Sequence, residues 1–176
     1  NTAPTIPTSP SPDNRTNITT PDFSWTASTD ADSDSITYRI LIDDASDFSS
    51  PTVNDTASSA TYTPSSLAEG NYFWKVRAED GIDNSGYIAA QLITLDNSGP
   101  SVTIQQPVAN TYNRTSLQIN VTVIEDYTNV SVVKYRLNGP QVTAWANLNL
   151  ESGSNKIYST KASPFNTGGV VDGNYY

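Results

Sequence analysis

With 176 residues, 36% of them hydrophobic and only 15% charged, the chain has room for one or two domains of sandwich size, about 100 residues each. A net charge of −9 and a pI near 4.2 argue against phosphate-backbone partners. The absence of Cys and His removes disulfides, thiolate sites, the usual nucleophile–base pairs and most zinc sites.

Tyr and Trp are spread along a polar chain of low charge, which predicts folded β-structure rather than disorder. No apolar run approaches the ~20 residues of a membrane span. Beginning at Asn1 rather than Met, the chain is expected to be a processed product or a piece of a longer protein.

In chain order, Asn1–Pro12 contains Pro4, Pro7, Pro10 and Pro12 and reads as an irregular edge strand or linker, since each proline lacks a ladder donor. Phe23 and Trp25 alternate with polar neighbours and predict a first buried strand. After the Asp-rich loop 29–35, Ile36, Tyr38, Ile40 and Ile42 predict a long second one. Phe48 is expected to anchor the turn that follows. Ala60 and Tyr62 mark another strand, which ends at Pro64.

From Gly70 to Asp80, Tyr72, Trp74, Val76 and Ala78 alternate with Phe73, Lys75 and Arg77, the best-defined strand of the chain. Asn71 before it and Asp80-Gly81 after it supply turn chemistry. Residues Tyr87 to Leu95 close the set. Seven short strands separated by turn signals predict a β-sandwich over residues 1–95.

A second unit is expected over residues 96–176, because an internal repeat starts there. Asn97-Ser98-Gly99-Pro100-Ser101-Val102 parallels Asn1-Thr2-Ala3-Pro4-Thr5-Ile6, and Asn113-Arg114-Thr115 parallels Asn14-Arg15-Thr16. Leu117, Ile119, Val121 and Val123 form one strand face, and Val133, Tyr135 and Leu137 another. Trp145, Leu148 and Leu150 add apolar bulk. Asp172-Gly173-Asn174-Tyr175-Tyr176 repeats the opening of the Gly70–Asp80 strand, so this unit is expected to lack its last strands within the sequence. The short linker 94–100 predicts a semi-rigid pair. No window keeps a helical period.

Phe23-Ser24-Trp25, Ile36-Thr37-Tyr38-Arg39-Ile40 and the stretch from Leu67 to Ala78 resemble the fibronectin type III-like domains repeated in large bacterial and archaeal surface and secreted proteins. Leu67, Gly70 and Tyr72 resemble the tyrosine corner of such sandwiches. The second unit is similar to the Ig-like repeats that often accompany them. The resemblance implies an all-β pair of antiparallel sandwiches in an extracellular setting, and it brings no catalytic residues.

Asp30, Asp32 and Asp34 alternate in one loop, and Glu79, Asp80 and Asp83 follow the long strand. In a fibronectin-like sandwich both loops lie at one end, so six carboxylates are expected to crowd one pole, where a hard cation such as Ca²⁺ would relieve their repulsion. Solvated, turn-forming Asp clusters are the competing explanation. Asp96, Glu125 and Asp126 form a sparser second group at the junction.

Sequons stand at Asn14, Asn17, Asn54, Asn113, Asn120 and Asn129. The chain has 17 Asn, and Ser and Thr fill about a quarter of it, so roughly four sequons arise by composition alone and the count decides little. Placement permits glycans at all six without disturbing packing, since they fall in loops, at strand ends or on the outward alternation of a strand, and several are expected to be occupied if the source glycosylates its surface proteins.

No phosphate loop or nucleophile elbow occurs, and acids confined to end loops offer no cleft for a glycosidase pair. The sequence therefore predicts a non-enzymatic extracellular structural or adhesive module. Its partners would be neighbouring domains or subunits, with no nucleic acid and no membrane insertion by this segment. Two alternatives are a filament subunit assembled by strand donation from the Pro-rich N-terminal segment, and an accessory module of a secreted glycan-degrading enzyme.

Overall fold

A computed structural model describes residues 1–108, 116–117, 119–126, 132–136, 146–152, 157–159 and 165–166. Every element among them is a strand. The chain divides into two compact units, Asn1–Ser98 and Gly99–Tyr176.

The first unit contains β1 (Thr8–Ser11), β2 (Arg15–Thr16), β3 (Phe23–Thr26), β4 (Thr37–Asp43), β5 (Val53–Ala57), β6 (Thr61–Tyr62), β7 (Gly70–Glu79) and β8 (Gln91–Leu95). A three-stranded sheet runs β1-β3-β6 and a five-stranded sheet runs β2-β8-β7-β4-β5. Strand β7 is central in the larger sheet. It pairs antiparallel with β4 from Thr37↔Glu79 to Asp43↔Phe73 and with β8 from Gly70↔Leu95 to Trp74↔Gln91.

Strict alternation decides which side chains meet. Tyr72, Trp74, Val76 and Ala78 from β7, Tyr38, Ile40 and Ile42 from β4, and Ile93 and Leu95 from β8 pack with Phe23 and Trp25 of the opposing sheet. Phe23 meets Trp74 edge-on at 4.9 Å, and Trp25 meets Tyr38 likewise at 5.2 Å. Each fully buried large side chain contributes about 1.5–3 kcal/mol by leaving water, so these rings dominate the unit's cohesion.

Three elements differ from the sequence expectation. Strand β5 was not evident, because only Ala57 of its five residues is buried. Strand β2 pairs parallel to β8 through two residues, too few to carry a period. The last strand begins at Gln91 rather than Tyr87. Before it, the Ser85 hydroxyl accepts the Ala78 amide at 2.9 Å and the Ser85 amide donates to the Ala78 carbonyl, so a side chain replaces part of the ladder. Ile88 still enters the core, its amide bonded to the Val76 carbonyl. The unit closes where the Asn97 amide and the Ser98 hydroxyl reach the Glu69 carboxylate.

The second unit contains β9 (Ser101–Gln106), β10 (Ser116–Leu117), β11 (Asn120–Ile124), β12 (Val133–Tyr135), β13 (Ala146–Ser152), β14 (Ile157–Ser159) and β15 (Phe165–Asn166). Five strands run β12-β13-β14-β11-β9, and β10 pairs with β15. Ile119, Val121, Val123 and Leu148 form its core, with Val133 and Tyr135 against them.

At edge strand β9 the apolar face opens to solvent. Val102 and Ile104 are 57% and 67% exposed, although their cross-strand partners Val123 and Val121 are buried. Leu137, Trp145 and the Asp172–Tyr176 repeat lie outside the described residues, as do the sequons at Asn113 and Asn129.

Candidate functional site: an acidic pole and a cationic sheet face

The loop between β3 and β4 turns on Asp30. Its Oδ1 accepts the amides of Asp32 (2.8 Å) and Asp34 (3.2 Å), folding the loop back on itself. Carboxylate oxygens of Asp30, Asp32 and Asp34 then lie within 4.8 Å of one another. Asp30 Oδ2 is buried and has no hydrogen-bond partner, while Asp32 and Asp34 are exposed. Carboxylate oxygens are the ligand type that hard cations prefer, and this loop brings three of them together.

Asp80 organises the loop after β7. Its Oδ1 accepts the amides of Ile82 (2.8 Å) and Asp83 (2.6 Å), and Gly81 takes the left-handed conformation, φ 89°. The N-terminal dipeptide bridges the two loops. Asn1 Nδ2 donates to Asp80 Oδ2 at 2.9 Å and Asp83 Oδ2 at 3.1 Å, and the Thr2 amide donates to Asp32 Oδ2 at 2.7 Å. The Asn1 side chain, then the loop amides, hold the Asp80 carboxyl below its ordinary value of 3.8. Five acids thus share one pole.

Glu79, the sixth acid of the sequence set, sits elsewhere. It belongs to the outer face of β7, where its Oε1 accepts Arg77 Nε (3.0 Å), Arg77 Nη2 (2.8 Å) and Arg39 Nε (3.5 Å). Its position two residues after Arg77 in an alternating strand already assigned it to that face.

The same face carries Lys75, and Arg39 stands directly across from Arg77. Lys75 Nζ lies 3.9 Å from the Phe48 ring centroid and 4.9 Å from that of Tyr87. The Arg77 guanidinium carbon lies 5.0 Å from the Tyr87 centroid. Phe48 holds a left-handed backbone, φ 55°, costing about 1–2 kcal/mol, which its cation contact helps offset. Phe48 therefore does anchor its turn, but over Lys75 on the outer face and not within the buried cluster. Phe73 is half-buried on this face and Leu92 is exposed. Neither ring stack was legible in sequence, because Phe48 and Tyr87 arrive from loops on either side of the strand pair.

Among the sequons, Asn14, Asn17 and Asn54 are exposed and Asn120 is half-buried. Asn54 Oδ1 accepts Arg39 Nη1 at 3.3 Å, while Asn120 Oδ1 is buried without a partner. Asp96 Oδ1 is likewise buried and unpartnered, and Glu125 and Asp126 belong to the second unit. Among the described residues no helix is long and apolar enough to cross a membrane.

Two sheets, antiparallel apart from the short β2–β8 pair and packed on a shared aromatic core, define the first unit as an Ig/fibronectin type III-like sandwich. Residues 7–97 match the family described as bacterial Ig-like domain, and the chain belongs to that family. A solved structure, that of chicken CNTN1 FN1-FN3 domains, is 14% identical with a TM-score of 0.41; the match covers 90% of this chain and 56% of that one, little more than half its length. No curated protein matches the chain.

Proposed function

We propose that the chain is a non-enzymatic structural or adhesive module of a larger cell-surface or secreted protein. The observation that carries this reading is membership of the bacterial Ig-like family together with the placement of the chemistry-bearing groups. In the first unit apolar and aromatic side chains fill the core, five carboxylates gather at an end pole, and three cations with Glu79 stand on one sheet face. Domains of this kind typically sit in larger extracellular proteins. An antibody raised against the purified chain should label intact source cells or their culture medium; signal confined to lysed cells would contradict the reading.

Strand donation by the N-terminal segment finds little support, because β1 is already paired with β3 in its own sandwich and the Thr5 amide is bonded to the Thr29 carbonyl. Glycans at exposed Asn14 and Asn17 fit an extracellular setting, whereas the Asn54 amide oxygen is engaged by Arg39; the intact mass of the native protein checks occupancy, and the bare-chain mass would refute it.

A second reading is favoured by the buried, unpartnered Asp30 Oδ2. The Asp30, Asp32 and Asp34 loop binds Ca²⁺, which stiffens the pole. A melting temperature higher in calcium than in chelator supports this; equal values would end it.

A further inference from the structure

We propose that the outer face of β4 and β7, built on Arg39, Lys75 and Arg77 with Phe48 and Tyr87, docks the acidic pole of a second copy of this chain. Residues 1–98 hold fourteen Asp and Glu against four Lys and Arg. Three of those four cations stand together on this one face, where Glu79 is the counter-ion of Arg39 and Arg77 and Lys75 lies over the Phe48 and Tyr87 rings. The face is therefore net positive by two, while the remainder of the unit holds thirteen acids and only Arg15.

Arg39 and Arg77 are directly opposite across the strand pair, an arrangement that costs stability, and Lys75 follows on the same face. One carboxylate neutralises only one of the three charges. Glu79, Asn54 and the two rings hold these cations in place but cancel only part of their charge, which leaves a positive face that an acidic surface complements. Its composition fits a protein interface, where arginine and large aromatics supply the anchoring contacts. Arg39 and Arg77 keep 33% and 29% of their side-chain surface exposed, and Leu92 beside Phe73 extends the face with apolar area.

The matching surface is on the same molecule. Asp32 and Asp34 project exposed from a loop whose carboxylates are within 4.8 Å of one another, and Asp80 and Asp83 are tied to that pole through Asn1 and Thr2. Face and pole are different patches, so the contact is heterologous and propagates from copy to copy instead of closing as a two-fold dimer. At 0.15 M salt the Debye length is about 8 Å, so the local match acts while the net repulsion between copies is screened. The inference rests on reading the chain as an assembly module and names its partner.

Sedimentation of the full chain in EDTA at 0.15 M NaCl, over a concentration series, tests it. Association rising with concentration is expected, weakened about tenfold or more by Arg39→Glu with Lys75→Glu, and equally by Asp32→Lys with Asp34→Lys. Mixing the two reversed variants should restore association. Arg39→Gln with Lys75→Gln serves if a reversed variant fails to fold. A monomer at every concentration, association indifferent to both sets of variants, or binding of polygalacturonate to this face with no self-association each overturn the inference. None of these results bears on surface labelling, which tests the module reading separately.

Discussion

Trp74 donates its indole N–H to the Pro12 carbonyl at 3.0 Å, tying the central strand of the first sandwich to the Pro-rich segment that precedes it. The bond matters because Trp74 is fully buried, and an unpaired carbonyl beside an apolar ring is costly. Trp74→Phe removes the donor and part of the volume packed on Phe23. It should cost about 2–3 kcal/mol, read from urea unfolding of the whole chain. A loss under about 0.5 kcal/mol would show that the bond and the packing are dispensable.

Asp43 ends β4 with 1% of its surface exposed, and its two oxygens accept the amides of Ala45 (3.2 Å) and Ser50 (3.4 Å). The loop that presents Phe48 to Lys75 hangs from this carboxylate. Asp43→Ala strands both amides and should destabilise by about 2–3 kcal/mol, with faster hydrogen exchange at residues 45–50. Unchanged exchange there would remove Asp43 as the organiser of the loop.

Lys75 between Phe48 and Tyr87 permits a narrower test. Lys75→Met keeps the stem and deletes the charge, and it should cost about 0.5–1 kcal/mol. If the phenyl ring of Phe48 keeps its chemical shifts in that variant, the cation does not position it.

The depressed Asp80 carboxyl sets a direction in pH. Its folded value lies below its ordinary value of 3.8, so the tie to Asn1 and the loop amides stabilises fully above that value and is lost as pH falls through the folded one. In a carboxyl NMR titration, Asp80 should titrate below its ordinary value of 3.8, and Asn1→Ala should raise its midpoint. Identical midpoints in both proteins would dissolve the N-terminal bridge.

The core was legible in the sequence because alternation reports burial directly. Tyr72, Trp74, Val76 and Ala78 are all buried, as the period-2 pattern requires, and Tyr38, Ile40 and Ile42 answer them across β4. Edge elements were not, since β5 has one buried residue and β2 is two residues long. The acidic pole was legible as composition, yet the Asn1 and Thr2 bridge links residues about eighty and thirty positions apart and leaves no local trace. Adjacency to Asp80 places Glu79 with that pole; strand alternation, which puts it beside Arg77, is the stronger guide.

The most direct test of the central claim, a structural module whose first unit is one cohesive sandwich, is single-molecule stretching of the chain between its ends. The two-sheet unit built on β7 should open in one step, releasing about 300 Å of extended chain for the segment 7–97. A smooth extension without that step would contradict the account.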